Sequence, residues 1–261
     1  MPITLVLLPG MDGTGLLFRN WIAARPEGYV LQVIDYPADQ PLGYDALLPL
    51  VRARLPREEP YFLLAESFSG PLGLMLARQA PPNLRGLILC CSFAKNPQPA
   101  LALARPMVGL LGFSALPSIM ARLGHRALFG RFADDETRAA LSEALRRLPP
   151  AVLQARMRAV LDVDVSDLLP QIRLPVLYLQ AREDRVVPAS ASRRGCDALP
   201  QVKLASIVAP HMLLQTMPHE AWAAVEAFLG PRIRGDDGGH DNRASTTTSV
   251  IPANAGIHKP R

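Results

Sequence analysis

Residues 61–71 read YFLLAESFSGP. Four apolar or aromatic residues run into Ala65-Glu66-Ser67-Phe68-Ser69-Gly70, so a buried strand gives way to a turn that carries two serines. A serine lifted on a sharp strand-to-helix turn is the setting of an acyl-transfer nucleophile, usually written G-x-S-x-G. The residues two before and two after such a serine come close together, so the turn demands small side chains there. With Ser67 as nucleophile the flanks are Ala65 and Ser69, both small; with Ser69 they are Ser67 and Pro71. Pro71 is bulkier and reads better as a first-turn helix residue, which favours Ser67. An N-cap serine after a strand is the plain structural alternative.

A serine hydroxyl needs an adjacent base. A histidine serves if a carboxylate holds its tautomer and stabilises the imidazolium. Of the five histidines, His240 and His258 lie in a polar C-terminal stretch, His125 in a helical block, and His219 in the final helix beside Glu220. His211 alone follows a strand-like run, VKLASIV, in the loop APHMLL. Asp184 follows another, VLYLQ, in the loop AREDRVVP, with Glu183 as second-choice acid. The order Ser67, Asp184, His211 is that of a nucleophile-elbow enzyme, with each residue at a strand's carboxyl end, where open α/β sheets place their sites. Stabilising an oxyanion takes two backbone N–H groups. The expected donors are Phe68, directly after the nucleophile, and Met11 in the loop PGMDGTG, where Gly10 permits close approach. Gly10, Gly13 and Gly15 do not fit G-x-G-x-x-G, and no G-K-[ST] follows, which argues against a phosphate-binding loop. Asp12 and Thr14 read as caps of the next helix, and Glu66 as structural.

The elements that must position these groups alternate. Apolar runs at 3–8, 29–37, 61–65 and 84–94 read as strands, separated by helical periods at 44–55 and from the Ser67 turn to about Arg78. Further strands are expected at 174–180 and 202–208, a short helix at 189–198 and a final helix from Pro218 to Gly230. Continuous apolar strands alternating with helices imply an α/β protein with a mostly parallel central sheet and helices on both faces. Between 96 and 169 the alternation stops. Helical segments near 100–112, 117–129, 134–147 and 150–161, the third capped by Asp134, read as an inserted helical cap. The expected organisation is a core of 1–95 and 170–230, a cap of 96–169 and a disordered tail of 231–261.

Composition narrows the function. The 261 residues are 49% hydrophobic and 20% charged, with a net charge of +5, and the basic residues form no stripe interleaved with aromatics, which argues against a nucleic-acid partner. Cys90, Cys91 and Cys196 have no C-x-x-C spacing, so neither a metal site nor a disulfide framework is expected. No cofactor motif is present. The apolar start, Ile3 to Leu8, meets Pro9-Gly10 after six residues, too soon for a signal or a membrane span. These features point to the cytoplasm.

LLPGMDGTG, AESFSG, AREDRVVP and PHMLLQTMP together resemble the α/β-hydrolase superfamily over nearly all of 1–230. The chain looks most like a bacterial esterase-like branch, with weaker similarity to the hydrolase-like domain of plant phytyl ester synthases. It departs from the pattern at Ala65 and Ser69, and at Pro9, where many relatives carry His. The resemblance implies a serine hydrolase acting on a small-molecule ester or thioester through an acyl-enzyme: Ser67 attacks, His211 moves the proton and Asp184 orients it. Two alternatives stay open: an acyltransferase with the same triad and an alcohol acceptor, and a non-catalytic ligand-binding member of the fold.

Overall fold

The computed structural model describes residues 2–99 and 124–235. Among them, six strands form one parallel sheet: β1 (Ile3–Leu8), β2 (Tyr29–Val33), β3 (Tyr61–Glu66), β4 (Leu84–Cys90), β5 (Val176–Ala181) and β6 (Val202–Ile207). Their order is β2-β1-β3-β4-β5-β6, so β3, which leads into Ser67, lies centrally beside β1 and β4. Register runs Leu8↔Ala65 and Ala65↔Leu89, which sets the ends of β1, β3 and β4 side by side.

The apolar runs are continuous because both faces are covered. Side chains alternate across a strand. Val6, Leu8, Leu63, Ala65, Leu87 and Leu89 join one buried cluster, with Leu47 and Val51 of α2 (Tyr44–Ala53) and Leu72 and Leu76 of α3 (Gly70–Gln79). Leu5, Leu7, Leu64 and Ile88 join the other, with Trp21 of α1 (Arg19–Ala23) and Trp222 of α8 (Pro218–Gly235). The two tryptophan rings stack at 4.2 Å. Further helices are α4 (Asp135–Arg146), α5 (Pro150–Asp162), α6 (Ala189–Asp197) and α7 (Leu213–Thr216). The architecture is the mostly parallel α/β sheet expected from the alternation.

Three boundaries differ from the sequence expectation by more than two residues. β2 stops at Val33 because the chain leaves the sheet for the glycine loop, where Tyr36 N–H donates to Gly13 O at 2.8 Å. β4 stops at Cys90 because Cys91 adopts a φ of +47°, which no strand tolerates. The last helix runs to Gly235 rather than Gly230, since a helical glycine permits a stop without forcing one. Asp134 does cap α4, in a reciprocal capping box with Thr137. The helix expected at 100–112, the first part of the one expected at 117–129 and most of the tail expected to be disordered lie outside the described residues; 124–129 is helical.

Candidate active site

Ser67 sits at the tight point of the turn with a φ of +48°, a left-handed conformation that costs a non-glycine residue energy. Several contacts hold it there. Ser92 Oγ donates to Ser67 O at 2.7 Å. Phe68 is fully buried and stacks on Tyr44 at 4.7 Å. Ser69 Oγ donates to Pro9 O and accepts from the Tyr36 hydroxyl, so it ties the turn to the end of β1. Ser69 is fully buried, whereas Ser67 is the one residue of 61–70 that is not.

The missing glycines have a structural answer. A Cβ on Gly73 would lie 2.8 Å from the Ala65 Cβ, so the space that a glycine at 65 would free is supplied from the facing helix. Gly70 is stricter still, because its Cβ would lie 1.6 Å from Ser92 Oγ. Gly70→Ala therefore displaces Ser92 and breaks its bond to Ser67. We expect a loss of about 3 kcal/mol, or a Tm drop of roughly 6–12 °C by calorimetry.

Ser67 Oγ lies 2.8 Å from His211 Nε2, and His211 Nδ1 lies 2.8 Å from Asp184 Oδ2. The His211 and Asp184 side chains are only 3% and 4% exposed. Asp184 Oδ1 accepts from the Val186 and Val187 N–H groups, both at 2.8 Å, which leaves Oδ2 for the imidazole. A carboxylate at Nδ1 places the ring proton there, and Nε2 then accepts from the serine hydroxyl. The three residues singled out from sequence thus form one hydrogen-bonded chain. Glu183 points away and makes a bidentate pair with Arg131, with Nη2 to Oε1 at 2.7 Å. Met11 is half-buried in the loop after β1 and packs on the same apolar cluster as Phe68. Cys91, Asp184 and His211 offer donor atoms within 4.8 Å of one another, but the imidazole and carboxylate atoms are already bonded together.

Residues 43–216 match the Hydrolase_4 family, described as serine aminopeptidase, S33. The chain belongs to this family. A pimeloyl-[acyl-carrier protein] methyl ester esterase of Aeromonas salmonicida is 29% identical over 72% of this chain and 79% of that protein. A Stutzerimonas stutzeri protein named for carbamate hydrolysis is 27% identical over 77% of this chain and 82% of its own length. A thermophilic esterase from Thermogutta terrifontis superposes with a TM-score of 0.75 at 18% identity, covering 88% of this chain and 90% of that one, a likeness of fold. The protein is an α/β-hydrolase enzyme, and no described helix is long and apolar enough to cross a membrane.

This hydrolase also carries groups that the sequence did not single out for the site. Gln215 Nε2 donates to Glu66 Oε1 at 2.9 Å, and Gln215 Oε1 is buried without a partner. Glu66, next to Ser67, is only 3% exposed. Burial raises its carboxyl to about 7, the Gln215 bond and His211 oppose the rise, and Asp12 adds to it. A raised carboxyl favours the folded state most below the unfolded value of 4.5, and that stability is lost as pH climbs through about 7. Between pH 5 and 8, wild type should lose roughly 3 kcal/mol more unfolding free energy than Glu66→Gln, measured by urea titration. Arg156 of α5, fully buried, donates to Met11 O, Asp12 O and Pro37 O.

Proposed function

We propose that this chain hydrolyses a small carboxylic ester or thioester through a covalent acyl-serine. The observation that carries the reading is the continuous chain Ser67 Oγ, His211 Nε2, His211 Nδ1, Asp184 Oδ2, with both contacts at 2.8 Å. The esterase name of the Aeromonas relative supports an ester as the substrate class.

Ser67 Oγ attacks the acyl carbon while its proton passes to His211 Nε2. The imidazolium is stabilised by Asp184, whose charge is desolvated and held by two backbone N–H groups. The carbonyl oxygen becomes an oxyanion, and the Met11 and Phe68 N–H groups are its donors. His211 then gives its proton to the leaving alcohol or thiol. Water attacks the acyl carbon as His211 takes its proton, and the second tetrahedral intermediate collapses with that proton returned to Ser67 Oγ, which releases the acid and restores free Ser67. The cap expected at 96–169 touches this centre through its described part: Met212 N–H, beside His211, donates to Leu128 O at 3.1 Å.

The test is turnover of p-nitrophenyl and thioester acyl series, with product analysis in added methanol. Free acid as the main product supports hydrolysis. Methyl ester as the main product moves the assignment to acyl transfer. No release of p-nitrophenol from folded protein overturns the reading.

A further inference from the structure

Arg156 is buried far more deeply than a helix-surface arginine should be. It is fully buried, yet it makes no ion pair among the described residues. Nη1 donates to Asp12 O at 2.7 Å and to Met11 O at 2.9 Å, and Nη2 donates to Pro37 O at 3.0 Å. Its Nε has no partner among the described residues, and its Cζ lies 5.7 Å from the Tyr36 ring centre. Asp12, a carboxylate whose charge acts on it, is bound instead by Thr14 N and Oγ1, at 2.9 and 2.5 Å. Burying a cation against neutral carbonyls is costly, and an apolar side chain in such a place is often as stable or more so. The loop is nevertheless shaped for it. Gly13 has a φ of +68°, and a Cβ there would lie 2.5 Å from Arg156 Nη1.

The peptide units of this loop connect the arginine to the oxyanion. In a trans peptide the C=O and N–H point in opposite directions. Arg156 holds the C=O of the Asp12–Gly13 peptide; the N–H of that same unit, Gly13 N–H, donates to Gly10 O at 3.0 Å. Gly10 C=O belongs to the Gly10–Met11 peptide, whose other end is Met11 N–H. Two peptide dipoles therefore stand head to tail between the guanidinium and the proposed oxyanion donor. Hydrogen bonds in such a chain polarise one another, and a fixed cation at its head strengthens the last donor.

We propose that Arg156 is the positioning residue of the oxyanion hole: from the inserted helix α5 it orients and polarises the two-peptide relay that ends in Met11 N–H. This rests on the serine-hydrolase reading and extends it. The helical insertion thereby takes part in building the catalytic centre.

The experiment compares wild type with Arg156→Lys, Arg156→Met and Arg156→Ala, using p-nitrophenyl ester kinetics and affinity for a trifluoromethyl ketone, which Ser67 would convert to a tetrahedral oxyanion. Loss of one oxyanion donor is worth about 100- to 1,000-fold in kcat. We expect kcat to fall at least about a hundredfold in all three, KM to stay within about threefold, and ketone affinity to weaken in proportion to kcat/KM. Lysine keeps the charge but cannot present the planar fork to three carbonyls. Guanidinium ion at millimolar concentration should restore part of the kcat of Arg156→Ala, while methylammonium should not. Folded variants with wild-type kcat overturn the proposal. So does a kcat loss that leaves ketone affinity untouched. Wild type that neither turns over esters nor binds the ketone overturns the hydrolase reading itself, a failure distinct from a wild type that does both beside unaffected variants. If Arg156→Ala and Arg156→Met do not fold, Arg156→Lys alone decides by the same two readouts.

Discussion

Ser67→Ala should lose about a million-fold in kcat on a p-nitrophenyl ester, the scale seen when a triad nucleophile is removed. The residue is the one half-buried point of an otherwise buried stretch, 61–70, and its hydroxyl is 2.8 Å from His211 Nε2. Ser69→Ala, two residues on, should behave differently. Its hydroxyl is already engaged by Pro9 O and the Tyr36 hydroxyl, with no access to His211. Removing it strands a buried carbonyl and a buried phenol, at a cost of about 1–3 kcal/mol in stability. Ser67 and His211, the proposed nucleophile and base, should stay in place. Steady-state kinetics together with thermal unfolding separate the two variants: Ser67→Ala loses activity without losing stability, and Ser69→Ala does largely the reverse.

Asp184→Asn should lower kcat by about 10,000-fold with the fold intact. Asp184 Oδ1 accepts two backbone N–H groups, so an asparagine keeps its oxygen there. Its NH2 group then faces His211 Nδ1 and donates to it. That bond forces the ring proton onto Nε2, which can no longer accept the proton of Ser67. Both side chains are almost wholly buried, at 3% and 4% exposed, which holds the two groups against each other. Glu183 cannot substitute, because it is bound to Arg131 at the surface. The check is kcat by steady-state assay, with the His211 Nδ1 and Nε2 protonation read from nitrogen NMR. Near-normal turnover in Asp184→Asn would assign the imidazole's orientation to something other than this carboxylate.

The parts of the fold that rest on local pattern were readable in the chain. β1 and β3 are continuous apolar runs because a parallel sheet covers both of their faces, and the small residues around Ser67 follow from the sterics of the turn. The less readable parts depend on partners distant in sequence. Ser69 looks like a second nucleophile until Pro9, 60 residues away, and Tyr36, 33 away, are placed around it. Ala65 departs from the glycine pattern, but Gly73, eight residues on, makes the room, and no short motif spans that relation. β2 looked longer because Tyr36 is strand-like, yet its N–H goes to Gly13. Arg156 left one faint signal. It falls four residues after Val152 and four before Val160, on the apolar stripe of α5, where a charge calls for a partner.

The most direct test of the central claim is to treat folded protein with a fluorophosphonate and locate the adduct by peptide mass spectrometry. The account predicts a single phosphonylated residue, Ser67, absent from Ser67→Ala and retained in Ser69→Ala. An adduct on Ser69, or none on the folded wild-type protein, would contradict it.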